Sequence, residues 1–336
     1  MANLEAPFVY FGGKSKVADF TWGKLGYDVP NYIEPFFGSG AMLLRRPGWS
    51  KGVLYDEVIN DREGLVANFW RSVKLDPKNT AKYADQPMFE NDLHARHVWL
   101  VERKDNLREL LEGDPEYHDP KMAGWWAWGM SCWIGGQFCE GRGAWGLDTN
   151  DKGQKILVKK DDKSGKVYRK RIHLGGSGVN KDKIYTPKTN ILKWFTALSD
   201  RFRTVKVMSG DWSRAMTQFV VLNKDHKLTA VFLDPPYSKE AERSEVLYTT
   251  EDLSVAHLVR TWCEKHGNNK NLRIALCGYG GEHESLEGMG WLRYEWKASG
   301  GYGLQGTKGK GRANREREVI WFSPYCLAKP KQTTLF

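Results

Sequence analysis

The tetrapeptide Asp234-Pro235-Pro236-Tyr237 directly follows the apolar run Ala230-Val231-Phe232-Leu233. A run so short and so apolar reads as a strand buried on both faces, which belongs in a parallel sheet covered by helices. The two prolines fix φ and remove two backbone donors, so the strand ends in a rigid turn. An acidic side chain and an aromatic ring then stand at the strand's carboxyl end, where open α/β sheets place their ligands. The Asp234 carboxylate and the Pro235 carbonyl form an acceptor pair that can grip an exocyclic amino group. Tyr237 offers a flat face on which a base can stack.

Other apolar runs fit the same sheet. Asn31-Tyr-Ile-Glu34 and Gly52-Val-Leu-Tyr-Asp56 predict two strands near the N-terminus, followed by a helix from about Gly64 to Lys74. Val205–Met208, Arg273–Leu276, Trp291–Lys297 and Glu318–Phe322 predict further strands, with helices at about Thr189–Phe202 and Leu253–His266. Strands alternating with helices predict an α/β, doubly wound, Rossmann-like sheet. Residues 71–189 break the rhythm. They hold charged helical segments from Asn91 to Glu112, the core-like Trp125-Trp-Ala-Trp128, and a glycine-rich stretch from Gly135 to Gly146. Polar β-like runs between Lys155 and His173 flank Asp161-Asp-Lys-Ser-Gly165, a hairpin signal. In a chain of 336 residues this predicts one α/β domain built from 1–70 and 190–330. A mainly helical domain with a β-hairpin, 71–189, is inserted between its second and third strands.

Three more segments carry ligand chemistry. Glu34-Pro-Phe-Phe37-Gly38-Ser-Gly40 follows the first strand, and its glycines let backbone approach a ligand closely. Tyr10-Phe-Gly-Gly-Lys14 places glycines before a charged side chain. Asp56, read as the end of the second strand about 20 residues past the glycine loop, is placed for ribose hydroxyls. Gly301-Tyr-Gly-Leu-Gln-Gly306 matches a dinucleotide fingerprint but has no helix after it. His94, His97, Cys132 and Cys139 lack the spacing of zinc ligands, so no metal is expected.

Charge points to the partner. The net charge is +10, and it is concentrated. Asp151–Lys188 holds 12 basic and 4 acidic residues, and Lys297–Arg317 holds 6 and 1, leaving the remainder slightly acidic. Basic segments with Gly and Tyr among the Lys and Arg read as a nucleic-acid footprint. The chain shows no signal-peptide pattern, no apolar run of about 18 residues, and five scattered cysteines, so a cytoplasmic protein off the membrane is expected.

In order and spacing these motifs resemble the DNA adenine-N6 methyltransferases of the Dam type, the D12 class, with the α-group motif order. The resemblance covers most of residues 7–75 and 190–323. It implies a methyltransferase-type sheet, S-adenosylmethionine as cofactor, and double-stranded DNA as substrate, in a bacterial or phage-encoded monomer or weak dimer. It leaves a partner restriction endonuclease open. Carried over by position, Asp234, Pro235, Pro236 and Tyr237 would be catalytic. Tyr10, Lys14, Glu34, Phe37, Gly38, Gly40, Asp56 and Asp234 would hold the cofactor, and Asp211 would lie near it. Lys159, Lys160, Arg169, Lys170 and Arg171 of the hairpin, with Lys308, Lys310 and Arg312 of the glycine-rich loop, would meet DNA. The alternatives are a cytosine-N4 enzyme, an RNA adenine methyltransferase, and an inactive DNA-binding protein of the same fold. The aspartate at 234, where cytosine-N4 enzymes usually carry serine, favours adenine.

Overall fold

A computed structural model describes residues 4–8, 10, 13–49, 55–133, 138–139, 145–153, 155–159, 191–217, 227–236, 255–296 and 318–328. Along them run α1 (Ala18–Leu25), β1 (Asn31–Glu34), α2 (Ala41–Leu44), β2 (Asp56–Asp61), α3 (Gly64–Leu75), α4 (Pro77–Ala84), α5 (Glu90–Val101), α6 (Leu107–Gly113) and α7 (Pro120–Cys132). After these come β3 (Trp145–Thr149), β4 (Lys155–Lys159), α8 (Ile191–Phe202), β5 (Lys206–Ser209), α9 (Trp212–Ala215) and β6 (Thr229–Leu233). The last elements are α10 (Val255–His266), β7 (Leu272–Tyr279), a 3₁₀ turn (Glu284–Met289), β8 (Leu292–Glu295) and β9 (Glu318–Phe322).

Seven strands form one mixed, mostly parallel sheet in the order β5-β2-β1-β6-β7-β9-β8. β5, β2, β1, β6 and β7 are mutually parallel, while β9 runs antiparallel to both β7 and β8. β3 and β4 form a separate two-stranded hairpin. With that hairpin set aside, the sheet starts in the 3-2-1-4-5 order of dinucleotide-binding sheets. It departs from them by slotting its reversed last strand between the fifth and the sixth. The order turns back between β1 and β6, so the crevice of a doubly wound sheet opens at their carboxyl ends.

Alternate strand residues feed two cores, as a period of two requires. Tyr32, Ile59, Phe232, Cys277, Ile320 and Phe322 join the cluster beneath α1, α3, α7 and α8. Ile33, Val58, Val231, Leu233, Ile274, Val319 and Trp321 face the opposite way, toward Trp212, Val259 and Cys263. Burial on both faces explains the apolar runs Ala230–Leu233 in β6 and Val319–Phe322 in β9.

One expectation is corrected. The second strand is Asp56–Asp61 and not Gly52–Asp56, so Asp56 stands at its amino end. The reason is Glu57, a fully buried carboxylate inside the strand. It accepts hydrogen bonds from Arg46 at 2.8 Å and from Arg201 at 2.5 and 2.7 Å, which hides the strand's apolar signature. A hairpin stands just before the expected one, whose Asp161–Gly165 turn lies outside the described residues. Lys155–Lys159 pairs with Trp145–Thr149 across a turn in which Asn150 accepts from the Lys152 and Gly153 amides. Gly153 takes φ 71°, the left-handed conformation that glycine adopts at least cost.

The described helices of the inserted stretch share their core with the sheet's helix layer: Leu93, Leu100, Leu107, Met122, Trp126 and Trp128 belong to the same cluster as Phe69 and Phe202. Asp119 fixes where α7 starts. Its side chain caps the Met122 amide at 2.8 Å, Pro120 opens the helix, and buried Asn68 of α3 bonds both to the Asp119 carbonyl at 3.0 Å and to its amide at 2.8 Å. α7 is thereby pinned beside the sheet's carboxyl edge. Among the described residues, no helix is long and apolar enough to cross a membrane.

Candidate active site

A cleft opens over the carboxyl ends of β1, β2, β5 and β6. Its floor is the loop after β1. Gly38 and Gly40 adopt φ of 50° and 70°, and a Cβ at either would strike the ring of Tyr10 or Phe37 at 2.7 or 2.5 Å. The loop is held from three sides. Trp70 Nε1 donates to the Gly38 carbonyl at 2.9 Å, the Gly38 amide donates to Asp61 Oδ2 at 2.7 Å, and the Phe37 amide donates to the Asn60 carbonyl at 3.0 Å. Buried Asn60 then ties the strand ends together, its Nδ2 donating to the Pro35 carbonyl at 3.0 Å and the Gly210 carbonyl at 3.1 Å.

Carboxyl groups dominate the polar lining: Glu34, Asp61, Glu63, Asp211 and Asp234, against the cations Lys14 and Arg62. Burial pushes the Glu34 carboxyl well above the usual carboxylate range. The hydrogen bond from Tyr32, 2.8 Å long, opposes that rise, and the nearby Asp234 charge adds to it. Asp61 is pushed up to about 7, again by burial first, with the Gly38 and Glu63 amides pulling the other way. Lys14 is buried, with Nζ 2.9 Å from Asp234 Oδ2. Burial alone would discharge that ammonium, but the neighbouring carboxylates of Asp234 and Glu318 outweigh it and hold its pKa above the usual lysine value. Asp211 caps α9, accepting from the Ser213 amide at 2.9 Å.

The residues expected from sequence separate clearly. Tyr10, Lys14, Glu34, Phe37, Gly38, Asp234 and Pro236 line the cleft, with Gly40 in the turn beneath it. The ring of Phe37 also packs against Trp70 and Phe202, with centroids 5.2 and 5.9 Å apart. Pro235 is buried behind the turn. Asp56 is not part of the site: it sits at the opposite edge of the sheet, paired with Lys206 at 2.7 Å. Asp61 occupies the position expected of it, at the carboxyl end of β2. The signal was present, since Asp61 also lies about 20 residues past the glycine loop. Tyr237, Lys160, Arg169, Lys170, Arg171, Lys308, Lys310 and Arg312 lie outside the described residues, and Lys159 is described only as the last residue of β4. Sequence reasoning missed Asn60 and the wall opposite the sheet, built by Trp126 and Met130 of α7 with Phe138 and Cys139. Among the described residues no cluster of His, Cys, Asp or Glu is arranged to hold a metal ion.

Chemically, the cleft suits a cation that also donates hydrogen bonds. Five carboxyl groups face two cations. A phosphate-rich ligand would be repelled, and α2, only four residues long, offers no extended helix dipole to hold one. Aromatic rings of Tyr10 and Trp126 on the walls suit a flat base or a sulfonium. No family model matches the chain, and no curated protein matches it.

Proposed function

We propose that the chain is a DNA methyltransferase that moves a methyl group from S-adenosylmethionine to N6 of an adenine flipped out of the duplex. The observation that carries this reading is Asp234. It ends the central strand β6 at the topological switch point, followed by two prolines, in a cleft whose charge favours a cationic donor. The mostly parallel seven-stranded sheet adds support, because it is compatible with the Rossmann-like sheet that the methyltransferase resemblance implies.

S-adenosylmethionine, when bound, supplies an electrophilic methyl on a positively charged sulfur. The residues present fit such a ligand: Asp61 is placed to accept from ribose hydroxyls, the Gly38–Gly40 turn gives backbone access, and Tyr10 and Trp126 supply ring faces. The N6 lone pair of adenine is delocalised and weakly nucleophilic. Hydrogen bonds from N6–H to the Asp234 carboxylate and the Pro235 carbonyl favour a more pyramidal nitrogen. Bound there, the donor would give its methyl carbon to N6 as its sulfur–carbon bond broke, and Asp234 would take the N6 proton. The sulfur departs neutral, so positioning and electrostatics do the protein's share of the work. The inserted stretch and the two basic segments supply DNA recognition, with Tyr237 as the stacking partner of the flipped base.

The test is to express the chain in cells lacking DNA methylation and sequence their DNA with base-modification detection. N6-methyladenine in one sequence context is the expected result, and unmodified DNA would overturn the proposal. Asp234→Ala should lower turnover by roughly 10²–10³-fold while DNA affinity stays within about threefold, because the carboxylate acts on N6 and not on the backbone.

A further inference from the structure

Asp234 is part of a three-residue charge cluster drawn from distant parts of the chain. Lys14 Nζ lies 2.9 Å from Asp234 Oδ2 and 3.6 Å from Glu318 Oε2. Lys14 is 3% exposed and Glu318 8%. Glu318 opens β9, pairing with Tyr279 of β7, and its carbonyl accepts from the Trp296 amide at 3.2 Å. Those sheet contacts use only its backbone. The four residues after it, Val319, Ile320, Trp321 and Phe322, are apolar and buried. A carboxylate in that company loses hydration, and an apolar side chain would serve the strand better. The charge must therefore be explained by what it faces, which is Lys14.

We propose, on the methyl-transfer reading above, that Glu318 is a positioning residue for the transfer step: it shares the charge of Lys14, so that Lys14 orients Asp234 without neutralising it. A lysine with a single carboxylate makes a neutral pair whose oxygens are weak acceptors. A lysine between two carboxylates leaves a net negative charge, and part of it stays on Asp234 to receive N6–H. The other titratable groups around the cluster leave this balance standing. Burial raises the Cys277 thiol, which stays neutral, and raises the Glu34 carboxyl as well. The same two carboxylates keep Lys14 charged against its burial.

Glu318→Gln tests the inference, because it keeps shape and polarity while removing the charge. Three quantities decide: the titration of the Lys14 ammonium followed by ¹⁵N NMR on lysine-labelled protein, the cofactor Kd from calorimetry, and kcat and KM for methyl transfer to DNA. In Glu318→Gln we expect Lys14 to titrate at lower pH, kcat to fall about 10–100-fold, and KM and cofactor Kd to stay within about threefold. Glu318→Asp, which restores the charge, should recover much of the rate. An active parent whose Glu318→Gln variant keeps its kcat overturns the inference alone. So does a variant in which kcat, KM and Tm fall together while the Lys14 titration stays put, since that is the pattern of a structural residue. A parent that methylates no DNA overturns the function and the catalytic half of this inference with it. Under that outcome an unmoved Lys14 titration overturns the charge sharing as well.

Discussion

Burial holds the Asp61 carboxyl up to about 7, so its charge changes where binding is ordinarily measured. A ribose hydroxyl donates, and its best partner is the ionised carboxylate. The sign follows. Below about 7 the empty site carries a proton that the ligand must displace, and above it the acceptor is ready. S-adenosylmethionine affinity should therefore rise with pH toward a plateau above 7, changing by up to about tenfold per pH unit on the acid side. Asp61→Asn should flatten that profile and weaken binding at pH 8 by about 1.5–3 kcal/mol, the worth of a hydrogen bond to a charged group. Calorimetric titration from pH 5.5 to 8.5 checks both. A profile identical in parent and variant would remove Asp61 from the site. In the empty protein the same raised carboxyl works against the fold: its folded value lies above the 3.8 of an ordinary aspartate, so stability declines as pH climbs from there toward 7.

At the scale of elements, β2 shows how one buried charge can organise a strand. Glu57 takes both Arg46 and Arg201, and the two guanidiniums also donate to the Val29 and Leu43 carbonyls. The network joins the chain after α2 and helix α8 to the same strand. Removing the acid strands two buried cations, so Glu57→Ala should cost about 3–5 kcal/mol in urea unfolding. Asp56→Ala, one residue earlier in an exposed pair with Lys206, should cost under about 1 kcal/mol and leave cofactor affinity unchanged. Equal costs would refute the placement of β2. The same residues explain what could be read from sequence. Ala230–Leu233 of β6 and Val319–Phe322 of β9 were legible because burial on both faces leaves an apolar run. β2 was misplaced because its second residue is a buried glutamate whose partner Arg201 lies 144 positions away. The Lys14–Asp234 contact and the wall from Trp126 and Met130 were illegible for a similar reason. They arise where loops and helices from distant segments meet over the sheet edge, and no local pattern records that meeting.

The molecule as a whole divides its charge, with an acidic cleft and a basic excess concentrated in 151–188 and 297–317. On the function proposed above, the division matches the acidic cleft to a cationic donor and the basic segments to a polyanion. It also yields a prediction that separates affinity from specificity. Phosphate contacts release counterions, so each one contributes roughly one unit to the slope of log affinity against log salt. Base-edge contacts by arginine set sequence choice, at about 1–3 kcal/mol each. Replacing Lys159, Lys160, Arg169, Lys170 and Arg171 together with Ala should weaken binding to every duplex. The salt slope should fall by about one for each phosphate that the variant no longer neutralises. Lys159 ends β4 opposite Trp145, so its truncation leaves the backbone ladder in place. Arg169→Ala or Arg171→Ala alone should relax selectivity at one position of the site. Cofactor affinity, set in the acidic cleft, should not move in any of these variants, which guards against reading a folding defect as a DNA effect. The measurement is duplex binding by fluorescence anisotropy across salt, with cognate and scrambled sites. If the five-alanine protein keeps the parent's affinity, slope and site preference, this basic segment is not the reader, and the role passes to Lys308, Lys310 and Arg312.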